Sequence, residues 1–256
     1  MPNNELTGKL IGIARHRMAV DGEGVTTLVA FHGCPLRCKY CLNPQSITND
    51  TMCMERTVEE LIDEVRIDQL YFLATGGGVT FGGGEPLLHS EYIKAFCELC
   101  PKEWRITIET SLNVPRRNVE LVLPYAKEWF IDIKDMNPEI YKAYSGTGNE
   151  RVIENLKWIA SEHAELLPSI TLRLPHIPNH NTEEDINNSQ AYLETLGYHK
   201  FDRFEYIIRK NLPYRQSPKA PLMSAIKSAV SSIPTERRMR VSVMPFFSRT
   251  SFGTLA

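Results

Sequence analysis

Six short apolar runs, each ending in polar or glycine residues and most of them separated by stretches with helical spacing, constrain this chain more than any other feature. They cover residues 27–31, 79–81, 105–110, 129–134, 170–174 and 204–208. Helical patterns fall between them at 90–100, 138–144, 151–163 and 183–196, and a further helix of about a dozen residues starts at the N-cap Thr57, with Glu59 and Glu60 in its first turn. Strands separated by helices cannot pair as hairpins. They form βαβ units with right-handed crossovers, so the expected fold is α/β with a parallel sheet. A seventh run at 8–15 leads into Asp21-Gly22-Glu23-Gly24, whose glycines suit a tight turn.

A length of 256 residues suits one barrel-like α/β domain or two small domains. The absence of repeats and low-complexity stretches favours one domain over 1–256, with its core at about 8–208 and a C-terminal extension at 209–256. In the extension, 211–218 reads as a loop, 220–232 as a helix and 239–244 as an edge strand. A net charge of −2 excludes a strong sequence-independent field for nucleic acid, and the basic run Arg237-Arg238-Met239-Arg240 reads as a solvated helix end. No apolar stretch is long enough to span a bilayer, and Met1-Pro2-Asn3-Asn4 is polar, so no membrane association and a cytoplasmic location are expected.

Half of the six cysteines stand within eight residues, in Cys34-Pro35-Leu36-Arg37-Cys38-Lys39-Tyr40-Cys41. This loop follows the first strand at its carboxyl end, where parallel α/β folds carry their chemistry. Three thiols so close converge on one metal centre. A cubane iron–sulfur cluster takes one thiolate per iron and would leave one iron for an outside ligand. With His32 as fourth ligand the same thiols would make a closed zinc site, so a non-catalytic zinc-binding module stays open at this point. Cys97-x-x-Cys100 lies late in an apolar helix pattern and reads as buried free thiols.

The spacing Cys34-x3-Cys38-x2-Cys41, with Tyr40 before the last cysteine, resembles the cluster loop of radical S-adenosylmethionine (SAM) enzymes. Gly82-Gly83-Gly84-Glu85-Pro86 resembles the family's second motif, and no Gly-Lys-Ser/Thr follows it to suggest a nucleotide P-loop. The closer resemblance, over about 8–208, is to the activating enzymes of glycyl radical enzymes, of the pyruvate formate-lyase-activating type. It is carried by Asp21-Gly22, by 75–86, Ile108-Glu109-Thr110, Asp132-Ile133-Lys134, 146–155 and Leu172-Arg173-Leu174-Pro175. Leu42 stands where these activases usually carry His, and Ile208-Arg209-Lys210 where they carry Pro-Tyr-His.

The resemblance implies a partial, TIM-like (β/α)6 barrel with parallel strands. It implies one [4Fe-4S] cluster on Cys34, Cys38 and Cys41, whose open iron is chelated by the amino and carboxylate groups of SAM. Only Cys53 lies where many relatives insert a ferredoxin-like segment, so no such insert is expected. For SAM the implied contacts are Tyr40 at the adenine, Gly82, Gly83, Gly84 and Glu85 near the amino group, and Glu109 and Asp132 at the amino group, ribose or a nearby cation. Lys134 and Arg173 are the cations aimed at its carboxylate and the site charge, with a salt bridge across the barrel mouth as their plain alternative. Lys210 stands in for the missing late contact. The implied substrate is a glycyl radical enzyme and the implied electron donor a flavodoxin or ferredoxin, under anaerobic conditions. The alternative is a radical SAM enzyme acting directly on a small molecule or peptide.

Overall fold

A computed structural model describes residues 6–18, 21–48 and 53–206. Strands are β1 (Thr7–Met18), β2 (Val25–Phe31), β3 (Met54–Thr57), β4 (Gly78–Gly83), β5 (Arg105–Thr110), β6 (Glu128–Asp132), β7 (Ile170–His176) and β8 (Phe201–Glu205). Helices are α1 (Val58–Arg66), α2 (Gln69–Thr75), α3 (Ser90–Leu99), α4 (Arg116–Val122), α5 (Pro138–Ser145), α6 (Glu150–Glu162) and α7 (Glu183–Thr195). The loop expected at 211–218, the helix at 220–232, the basic run at 237–240, the edge strand at 239–244 and Lys210 lie outside the described residues.

The strands form one sheet in the order β3-β1-β2-β4-β5-β6-β7-β8. From β2 to β8 all neighbours are parallel, which gives the six parallel strands expected of the open (β/α)6 arrangement. β1 and β3 extend the sheet antiparallel beyond β2, an edge the sequence did not announce. The last strand lies at Phe201–Glu205 rather than 204–208, because pairing with β7 joins Leu172 to Phe201 and His176 to Glu205. On an exposed edge strand the apolar pattern is a weak guide, and the ladder decides.

Alternation along the strands gives the sheet two unlike faces. Phe31, Val79, Phe81, Ile106, Ile108, Trp129, Ile131 and Leu172 are buried on the side of the helices. There Phe81 meets Phe96 of α3 edge-on at 5.2 Å. The alternate positions carry Thr80, Gly82, Thr107, Glu109, Phe130 and Arg173. This inner face is polar, and Arg173 reaches from β7 to Glu109 on β5 at 2.8 Å.

The helices start where their caps dictate. Thr57 and Glu60 form a capping box at α1, and Thr182 with Asp185 forms another at α7. The first helix stops after nine residues rather than about twelve. Its successor Asp68 is turned inward, where it accepts from Arg15 Nε at 2.8 Å and from the Thr27 hydroxyl at 2.7 Å, with the His16 ring nitrogen 2.9 Å away. This carboxylate ties β1 and β2 to the start of α2.

Burial raises the Asp68 pKa, but the hydrogen bonds and charge of Arg15 and the Thr27 hydroxyl outweigh it and hold the group below its ordinary 3.8. The stability contributed by such a depressed carboxyl is present above the ordinary value and is lost as pH falls through the lower folded value. Asp68→Asn should therefore cost about 2 kcal/mol near neutral pH, since it leaves charged donors unpaired. The deficit should shrink as pH drops below 3.8, measured by urea denaturation across pH. A deficit that stays constant with pH would refute the assignment.

Candidate active site

The cysteine loop leaves β2 at Phe31 and is tied down on three sides. Gly33 N–H donates to Ser46 O at 2.7 Å and the Asn43 amide donates to Gly83 O at 3.0 Å. Arg37 N–H and Lys39 N–H donate to Ser145 O and Tyr144 O at the end of α5, at 2.7 and 3.2 Å. The turn closes on itself through Cys41 N–H to Cys38 O at 3.2 Å. Leu36 anchors it in the core at 2% exposure.

These ties bring Cys34, Cys38 and Cys41 onto the rim of one cavity of about 200 Å³ at the carboxyl ends of the strands. Among the described residues no three His, Cys, Asp or Glu side chains are arranged to hold a single ion, and the three thiols all belong to the cavity lining. Burial pushes Cys34 up to about 12, reinforced by the charge of Glu85. It also raises Cys38 against the pull of Lys134, and Cys41 against a backbone hydrogen bond. Thiols so placed stay protonated at neutral pH until a metal takes the proton's place.

The deep wall is made of two ion pairs. Lys134 Nζ donates to Asp132 Oδ2 at 3.0 Å, almost wholly out of solvent. Burial lowers its pKa, but Asp132 and Cys38 raise it well above the ordinary value, so the ammonium stays charged. Arg173 pairs with Glu109 at 2.8 Å and lies over the Phe130 ring at 4.2 Å. Burial raises Glu109 while Arg173 opposes. The two expected cations are thus paired with the two expected carboxylates, and a ligand here would share them.

The glycine run packs backbone against backbone. Gly84 N–H donates to Phe31 O at 2.9 Å and Glu85 N–H to Gly33 O at 2.7 Å. Gly83 holds φ at +93°, and a Cβ there would stand 2.7 Å from Ala30 Cα. A Cβ at Gly84 would meet Gly33 O at 2.2 Å. The missing side chains therefore admit the cysteine loop, while Gly83 and Gly84 face the cavity with their main chain.

Glu85 does not line the cavity. It is fully buried and accepts from the Thr110 hydroxyl at 2.6 Å, from the Ser111 amide and hydroxyl at 2.9 and 2.6 Å, and from Leu87 N–H at 3.2 Å. It is a strut between the ends of β4 and β5 that aims Ser111 at the cavity. Gly82 sits one step deeper, with Glu109 Oε2 3.0 Å from the place of its absent Cβ. The Tyr40 ring lies behind the loop against Tyr144, His180 and Tyr206.

Of the expected residues, Cys34, Cys38, Cys41, Gly83, Gly84, Glu109, Asp132, Lys134 and Arg173 share the cavity. Tyr40, Gly82 and Glu85 do not line it. Leu36, Leu42, Asn43, Ser46, Thr110, Ser111 and Tyr206 do, and sequence reasoning gave them no role. Ser111 was foreshadowed by its place directly after a strand end. Cys97 and Cys100 are buried free thiols at the end of α3, as their apolar setting implies. Among the described residues no helix is long and apolar enough to cross a membrane.

Residues 28–188 match the model of the Radical SAM superfamily. The chain is 33% identical to the pyruvate formate-lyase-activating enzyme of Clostridium pasteurianum, over 77% of this chain and 84% of that protein. It is 32% identical to the (2S)-3-sulfopropanediol dehydratase activating enzyme of Klebsiella oxytoca, over 64% of this chain and 69% of that one. Among solved structures it is similar in fold to Streptococcus suis SuiB bound to S-adenosylmethionine, with a TM-score of 0.53 and 15% identity. That match covers 80% of this chain and 47% of the longer SuiB chain. A loop of three cysteines, a glycine run packed on it and a family match spanning both lead to one conclusion: the chain belongs to the radical SAM superfamily, whose cofactors are a [4Fe-4S] cluster and S-adenosylmethionine, and within it to the family that includes pyruvate formate-lyase-activating enzyme.

Proposed function

We propose that this protein is an activase that installs a glycyl radical on a partner enzyme. The observation that carries the reading is the convergence of Cys34, Cys38 and Cys41 on one cavity with the Lys134–Asp132 and Arg173–Glu109 pairs in its wall, in a chain aligned with an activating enzyme over 77% of its length. The donor set fits the cofactors, since three soft thiols suit a cluster with one open iron and paired charges suit a zwitterionic ligand. One cluster, one domain over 1–256 without a ferredoxin-like insert, a cytoplasmic location, and a flavodoxin or ferredoxin as electron donor belong to the same reading.

When bound, the cluster and S-adenosylmethionine would supply the one-electron chemistry by which a hydrogen atom is removed from a glycine Cα of the partner. The chain's own residues do the rest. Cys34, Cys38 and Cys41 would hold the cluster. Lys134, buried and charged, would meet the carboxylate of S-adenosylmethionine, and Asp132 and Glu109 would take its amino group or ribose. The main chain of Gly83 and Gly84 would border the ligand without a side chain between. Arg173 fixes Glu109, and Glu85 fixes Ser111.

The anaerobically reconstituted protein, given reductant, S-adenosylmethionine and the glycyl radical enzyme encoded nearest its gene, should produce a glycine-centred doublet in electron paramagnetic resonance. Deoxyadenosine formed without that doublet, together with turnover of a small molecule or peptide, would replace the activase reading and leave the cofactor chemistry in place.

A further inference from the structure

Six parallel strands laid flat would put β8 roughly 24 Å from β2, at a spacing of about 4.8 Å per strand. Yet the Tyr206 hydroxyl, one residue past β8, donates to Tyr40 O in the loop after β2 at 2.9 Å. The sheet has curled until its last strand reaches the cysteine loop. Tyr206 is itself anchored, since its N–H donates to His176 O at 2.9 Å.

The bond lands on a sensitive place. Tyr40 C=O and Cys41 N–H belong to one rigid peptide plane. The plane is held on one side by Cys41 N–H to Cys38 O at 3.2 Å and on the other by Tyr206 at 2.9 Å. The neighbouring tie to α5 holds Lys39 N–H instead, two peptides earlier. Rotation of the Tyr40–Cys41 plane would turn the third thiol, and the Tyr206 hydroxyl opposes that rotation. The ring is seated beside Tyr40, Tyr144 and Phe204, with centroids 6.5, 6.3 and 6.3 Å away, so the hydroxyl is held in place by packing.

We propose that Tyr206 is a positioning residue that closes the mouth of the open barrel by pinning the Tyr40–Cys41 peptide and so aiming the Cys41 thiol into the cavity. Its relevance to catalysis rests on the reading of the three thiols as cluster ligands, but the tether itself belongs to the protein without cluster. Tyr206→Phe keeps the ring and removes the hydroxyl, and with it both the bond to Tyr40 O and the contact with the Tyr144 hydroxyl.

The test is N-ethylmaleimide labelling of the full-length apoprotein under anaerobic conditions, followed peptide by peptide by mass spectrometry. Loss of one hydrogen bond to a locally opening loop should speed modification of Cys41 about fivefold, with Cys97 unchanged as internal reference. Tyr198→Phe, which removes a buried tyrosine bond of 3.0 Å to Leu156 O away from the loop, should leave Cys41 at the parent rate. In the reconstituted protein, Tyr206→Phe should raise the apparent Kd for S-adenosylmethionine and shrink the change it induces in the cluster's paramagnetic resonance spectrum, with a fall in thermal midpoint no larger than that of Tyr198→Phe. A Cys41 rate within about twofold of the parent, or an equal rise at Cys97, overturns the tether. A faster Cys41 in a chain that assembles no cluster upholds the tether and refutes the proposed function instead.

Discussion

Cys34→Ala, Cys38→Ala and Cys41→Ala are each expected to hold almost no iron or sulfide after anaerobic reconstitution, against about four of each for the parent, and to cleave S-adenosylmethionine only at background. The effect is total because a cluster on three protein thiolates loses a whole corner with each residue, and the remaining thiols are pushed back toward the protonated state by burial. Cys97→Ala and Cys100→Ala should keep both cluster and activity. Those thiols are buried in the core at the end of α3 and do not line the cavity, so their loss is one of packing, about 1 kcal/mol. Iron and sulfide assays with visible absorption spectra decide the matter. Stoichiometric zinc without sulfide in the parent would sink the cluster assignment.

Gly84→Ala should produce the second largest effect. On sequence grounds a side chain at this position would crowd the amino group of S-adenosylmethionine, and binding of that ligand would fail before the cluster did. The geometry changes that expectation, because the added Cβ would stand 2.2 Å from Gly33 O and 3.0 Å from Phe31 O, both main-chain atoms. Something must move, and Gly33 O is also the acceptor for Glu85 N–H. Stability should drop by about 3 kcal/mol, the upper range for overpacking. Thermal midpoint, cluster content and S-adenosylmethionine binding should then fall together. Gly76 is a useful contrast, since no atom lies within 4 Å of its missing Cβ. Gly76→Ala meets only the left-handed backbone at φ +71° and should cost about 1 kcal/mol, with the cluster retained. A Gly84→Ala protein as stable as the parent would show that the loop is not packed on the glycine run as described.

Much of this molecule was legible in its residues because the signals are local. Strand and helix periodicity placed five of the six parallel strands, and Thr57 as N-cap with Glu59 and Glu60 in the first turn announced the start of α1. The cysteine loop was equally plain, since its three cysteines lie within eight residues. Other features depend on chain segments far apart in sequence. The antiparallel edge of β3 and β1 and the true position of β8 come from ladder pairing, which side-chain pattern on exposed strands does not encode. The partner of Arg173 follows from the inner face of the curled sheet, where β5 and β7 point their charges at each other. Glu85 sits in a motif that reads as ligand contact, and only the approach of Thr110 and Ser111 turns it into a buried strut. Tyr206 is the clearest case. In sequence it lies 166 residues from Tyr40, and the curl of six strands alone makes them neighbours. The sequence by itself determined most of the elements and the chemistry of the donors, because both are written in short-range spacing. The tertiary structure decided which donors face one another, because that depends on the curvature of the whole sheet.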